Sequence, residues 1–102
     1  MARIEWSERA KEQLVSNARH IARDSVTRAD KWLRKMLDSV AILERLPEIG
    51  SPFEEEPRFQ LRELIVGNYR ILYQYHASNC LIYSILRAEQ DFYRATGNQD
   101  PS

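Results

Sequence analysis

Apolar and polar positions change period along the chain, and each change predicts an element. Arg3-Ile4-Glu5-Trp6 alternates at period two, the mark of a short strand, and Ser7 behind it is a residue type that caps helices. From Ser7 to about Arg23, Ala10, Leu14, Ala18, Ile21 and Ala22 recur at steps of three and four, with charged residues between them. That spacing predicts an amphipathic helix. Asp24-Ser25 offers a second cap, followed by a stripe of Val26, Ala29, Leu33, Met36, Leu37, Val40 and Leu43 or Leu46, until Pro47 stops the helix. So short a gap between two amphipathic helices predicts an antiparallel hairpin.

Residues 48–57 hold Gly50, Pro52, Pro57 and the run Glu54-Glu55-Glu56, and read as a connector with the glutamates solvated and without a role. Beyond it, Phe59 to Val66, Tyr69 to His76 and Cys80 to Arg87 are rich in aromatic and β-branched residues. Gly67-Asn68 between the first two suits a type II′ turn, and Ala77-Ser78-Asn79 separates the next pair. Three antiparallel strands need cover on one face, and the helices supply it. The predicted architecture is α+β in the order β-α-α-β-β-β, an antiparallel sheet packed against an N-terminal helical hairpin. It forms one domain over residues 1–97, with 98–102 a frayed tail. In the central strand Tyr69, Ile71, Tyr73 and Tyr75 point one way, and Arg70, Leu72, Gln74 and His76 the other. Both faces are mixed, so the face away from the helices is expected to be partly solvated and open to a partner.

Composition narrows the function classes. At 102 residues, 43% hydrophobic and 29% charged, the chain has room for one modest core. Fifteen basic residues balance fifteen acidic ones, so nucleic-acid binding requires a local patch rather than a global field. The single cysteine, Cys80, fits a reducing, cytoplasmic setting, and no stretch approaches a membrane span or a secretion signal. His20, His76 and Cys80 are too scattered for metal ligation, so neither metal nor cofactor is expected. Cys80 reads as a small buried residue, and His76 as a polar strand end or a general acid–base. Phosphate loops, nucleophile elbows and paired catalytic carboxylates are missing from the sequence. Arg62, Arg70 and Arg87, one on each late strand, form a phosphate-binding patch if register permits, or else pair with nearby carboxylates.

Leu46-Pro47-Glu48-Ile49-Gly50-Ser51-Pro52, followed by Leu61-Arg62-Glu63-Leu64-Ile65-Val66-Gly67-Asn68-Tyr69-Arg70-Ile71-Leu72-Tyr73, resembles the signature of the ParE/RelE superfamily of bacterial toxins from type II toxin–antitoxin modules. The resemblance runs from the first strand to about Arg87. It implies a plasmid-stabilisation type toxin held in a hetero-oligomer by a cognate antitoxin, with either DNA gyrase or the ribosome and its mRNA as target. RelE-like ribonucleases carry lysines on the strand before the Tyr-Arg pair, where this chain has Leu61 and Glu63. The resemblance is therefore closer to the ParE branch, whose members poison gyrase without a catalytic set. On that branch Arg62, Tyr69, Arg70, Tyr73 and Arg87 are the expected target-binding residues. On the ribonuclease alternative Arg70, Arg87 and Tyr93 carry the chemistry, and a further alternative is a non-toxic homologue that only binds antitoxin. Trp32, Ile42 and Phe92 are expected either to mark the antitoxin groove or to be ordinary core residues.

Overall fold

The computed structural model describes residues 1–89; the predicted tail, Phe92 and Tyr93 lie outside them. Strand β1 (Arg3–Trp6) leads into helix α1 (Glu8–Ala22), then helix α2 (Val26–Ala41) and a 3₁₀ turn at Ile42–Glu44. The short strand β2 (Ser51–Pro52) and a second 3₁₀ turn (Pro57–Phe59) precede strands β3 (Arg62–Val66), β4 (Tyr69–His76) and β5 (Asn79–Arg87). Both caps read from the sequence form. The Ser7 hydroxyl accepts from the Ala10 amide at 3.0 Å and the Ser25 hydroxyl from the Arg28 amide at 3.1 Å, each meeting an amide that the first helical turn leaves unpaired. The α-helical part of α2 stops at Ala41, short of Pro47, and the chain tightens into the 3₁₀ turn that buries Leu43.

The sheet has five strands in the order β1-β5-β4-β3-β2, and the β3-β4-β5 meander is antiparallel as its turns predict. Two features go beyond the predicted order. β1 pairs in parallel with β5, Ile4 beside Cys80 and Trp6 beside Ile82, because the two helices carry the chain back across one face of the sheet. Part of the connector, Ser51–Pro52, adds an antiparallel edge to β3. A proline fits there because an edge strand need not donate every amide.

Ala10, Met36, Val40 and Leu43 bring the helices onto Ile71, Tyr73, Ile82 and Ile85 of the sheet. The other face is less open than the alternation of β4 suggests. Phe53, Leu61, Leu72 and Leu86 form a second cluster there, with Phe59 and Tyr83 packed against it, so the 53–61 segment acts as a lid over that side. A bulge lets one strand serve both clusters. Leu72 pairs with Ser84 but Tyr73 pairs with Ile82, so Tyr83 is the extra residue, and both Ile82 and Ile85 reach the helix side. Beyond Ile82, among the described residues, the β1 side of β5 has no strand beside it, and Gln13 of α1 takes that place: its Oε1 accepts from the Ile85 amide at 2.7 Å and from the Ser84 hydroxyl at 3.1 Å. Gln13→Leu strands that amide and should cost about 1–3 kcal/mol, read as a lowered midpoint in urea denaturation.

The two meander turns differ in how well their residues suit them. Gly67 sits at φ 60°, as the type II′ reading of Gly67-Asn68 requires. The second turn contains only Ala77 and Ser78, both left-handed at φ 50° and 63°, with Asn79 already paired in β5. Positive φ at both central positions is type I′ geometry, which favours Asn-Gly. Replacing the pair (Ala77→Asn with Ser78→Gly) should therefore stabilise the protein by about 1 kcal/mol, a rise of roughly 4–8 °C in Tm by calorimetry.

Candidate functional site

Register decides what the three late-strand arginines can do together. Arg62 stands opposite Tyr73 and Arg87 opposite Tyr69, and both tyrosines face the helices. Arg70 stands opposite Leu86 and faces the second cluster, so register does not gather the three guanidinium groups into one patch, and each has a carboxylate partner instead.

Arg70 is the most enclosed of them. Its side chain is 12% exposed, its Nη1 lies 3.2 Å from a Glu63 carboxylate oxygen and 3.4 Å from one of Glu55, and its guanidinium sits over the Phe53 ring. Two carboxylates around one guanidinium leave the spot with a net negative charge, a poor seat for a phosphate. Arg62 is held by its own connector. Its Nη1 donates to the Gly50 carbonyl at 2.8 Å and the Glu48 carbonyl at 3.2 Å, and its Nη2 lies 3.4 Å from the Glu48 carboxylate. Arg87 is exposed and paired with Glu89 at 3.2 Å.

Tyr73 offers nothing to a partner, because it is wholly buried. Its hydroxyl donates to the Pro47 carbonyl at 2.8 Å and accepts from the Gly50 amide at 2.9 Å, which pins the connector against the sheet. Burial pushes the phenol above its ordinary pKa, partly offset by the Gly50 amide, so it stays protonated and keeps that donor. Tyr69 is half-buried, its ring centroid 5.1 Å from that of Trp32 on α2. Cys80 is fully buried, and burial raises its thiol pKa, the reverse of what a nucleophile needs. His76 is exposed at the end of β4.

The acidic run is not the plain solvated loop expected. Glu56 is 1% exposed, caps the second 3₁₀ turn by accepting from the Arg58 amide at 3.1 Å, and binds the Arg58 guanidinium through both carboxylate oxygens at 2.9 and 3.0 Å. Glu55 reaches Arg70, which leaves Glu54 as the member of the run with no such contact in view. The available signal was Glu56-Pro57-x, an acidic cap before a proline that starts a helical turn.

An apolar surface lies at the far end of α2. Ile42 is 47% exposed and Leu46 is 53% exposed; with Ala41 they line an open cleft of about 600 Å³ rimmed by Asp38, Glu44 and Arg45. Leu37 and Ile49 are exposed as well. Of the three residues expected at an antitoxin groove, Ile42 belongs to this surface, Trp32 stands elsewhere on α2 against Tyr69, and Phe92 lies outside the described residues. Among the described residues no helix is long and apolar enough to cross a membrane.

This fold, with its connector pinned under Tyr73 and its Tyr-Arg strand at the sheet centre, agrees with a direct comparison. The family model described as "ParE toxin of type II toxin-antitoxin system, parDE" matches residues 4–92. The chain belongs to the ParE toxin family. Membership makes it a toxin of the type II toxin–antitoxin class and implies a cognate ParD antitoxin as partner. A solved chain from the chromosomal ParDE toxin–antitoxin system of P. aeruginosa superposes with a TM-score of 0.75 at 19% identity, covering 87% of this chain and 98% of that one. At that identity the likeness bears on the fold, which it supports across nearly the whole domain. No curated protein matches the chain.

Proposed function

We propose that this ParE-family toxin arrests growth in the cytoplasm by inhibiting DNA gyrase, and that its antitoxin neutralises it from the apolar surface around Ile42 and Leu46. The observation that carries the gyrase reading is the pairing of Arg70 with Glu63 and Glu55. A ribonuclease must hold a scissile phosphate with unpaired cations. Here the one arginine at the matching position is neutralised and nearly buried, and Leu61 and Glu63 stand where the ribonucleases carry lysines. A protein that stabilises a gyrase–DNA complex needs a binding surface and no such cations. Of the residues expected to face the target, Arg87 is exposed, Tyr69 and Arg62 are partly exposed and Arg70 is nearly covered.

The test is pulse-labelling of DNA and protein synthesis within minutes of inducing the chain without antitoxin. DNA synthesis should fall first, and purified gyrase should accumulate cleaved DNA when the protein is added. Early loss of translation with intact DNA synthesis would show the ribosome to be the target instead.

A further inference from the structure

The geometry points to a second binding site, for a single strand of nucleic acid, in the cleft between α2 and the β3-β4 hairpin. This inference does not rest on gyrase being the target.

The cleft encloses about 450 Å³ and is lined on one wall by Arg28, Lys31 and Lys35, with Trp32 and Tyr69 at its base. Steps of three and four residues put the three cations on one face of α2, about 5 and 6 Å apart along the helix axis. Among the described residues no carboxylate lines the cleft, and none of the three cations forms a salt bridge. That sets them apart from Arg62, Arg70 and Arg87, each of which has an acidic partner. In a chain of zero net charge, this is a local concentration of unneutralised positive charge. The far wall comes from the hairpin turn. A Cβ placed on Gly67 would stand 3.4 Å from the Lys35 ammonium, so that side chain reaches across the mouth of the cleft.

The aromatic base selects among anions. Trp32 and Tyr69 meet at a tilt of 59°, and neither is fully buried. The indole Nε1–H of Trp32 is buried, yet it has no hydrogen-bond partner among the described residues. A buried donor left unmade costs about 1–3 kcal/mol, and a turn of the indole that brought it to a ligand acceptor would recover that energy. Cations for phosphates, ring faces for bases and one buried donor for a base or phosphate oxygen together make the equipment of a single-strand binder. An acidic protein segment would satisfy the cations but bring no flat group to the rings.

The test uses the full 102-residue chain and a fluorescein-labelled oligothymidylate of about 12 nucleotides. Anisotropy titrations from 50 to 200 mM salt should give a log–log slope of about −2, the value for three phosphates neutralised on a single strand. Lys31→Gln and Lys35→Gln should each make the slope shallower by about 0.7 and weaken binding several-fold, with circular-dichroism melts unchanged. Trp32→Phe, which keeps a ring but loses the donor, should weaken binding without altering the slope. Binding indifferent to salt, or to all three substitutions, overturns the site. A labelled polyglutamate peptide that binds as tightly as the oligonucleotide also overturns it, in favour of an acidic protein segment.

Discussion

Gly50→Ala should lower the stability of the fold by about 3 kcal/mol, a large loss for one added methyl group. The cause is space. A Cβ at Gly50 would stand 2.7 Å from the Tyr73 hydroxyl, 2.8 Å from its ring and 2.9 Å from the Glu63 carbonyl. Two of those neighbours belong to the wholly buried Tyr73 and the third to β3 backbone, so none can swing aside into solvent. Relief requires the connector to lift off the sheet, which breaks the Gly50–Tyr73 and Pro47–Tyr73 hydrogen bonds and the hold of Arg62 on Gly50. Tyr73→Phe attacks the same joint from the other side. It leaves the Gly50 amide and the Pro47 carbonyl without their partner and should cost about 1–3 kcal/mol. The two changes share contacts, so the double variant should lose less than the sum of the singles, because removing the hydroxyl removes the closest clash. Thermal melts of the four proteins check this; strict additivity would mean that the connector is not held through Tyr73.

The same joint shows what was legible in the sequence and what was not. Period, caps and turn residues carry the helices and the meander, because each is set by neighbours a few positions apart. The parallel pairing of β1 with β5 joins residues more than seventy positions apart, and alternation within Arg3–Trp6 says nothing of which strand lies beside it. β2 is two residues long and contains a proline, too short for any period. The arginine patch failed for a similar reason. Whether Arg62, Arg70 and Arg87 share a face depends on cross-strand register and on the bulge at Leu72/Tyr73, and neither is written in the spacing of the arginines. Tyr73 and Arg62, read as target-facing, turn out to hold the connector, while Glu55 and Glu56, read as solvent-facing, hold arginines. Polar residues near a sheet do not announce which of these jobs they have.

Exposed apolar residues at the end of α2 lead to the second large effect. Ile42→Glu combined with Leu46→Glu should weaken antitoxin binding by about 100-fold while leaving the protein folded. Both side chains are about half exposed, so the fold loses only the buried half of each, about 1 kcal/mol apiece, which thermal melts would read. Covering the exposed half of each against a partner is worth about 0.8–1.5 kcal/mol, so the two together approach the roughly 2.7 kcal/mol that corresponds to 100-fold. The new carboxylates would add a desolvation cost at an interface that already has Asp38 and Glu44 at its rim. Calorimetric titration of the purified antitoxin into the variant measures the loss directly. Co-expression supplies the functional readout, since the variant should arrest growth even when antitoxin is present. Unchanged affinity would move the antitoxin off this surface. A variant that folds but no longer arrests growth would instead mean that toxin target and antitoxin compete for the same apolar patch, so that neutralisation works by direct occlusion of the surface the target needs.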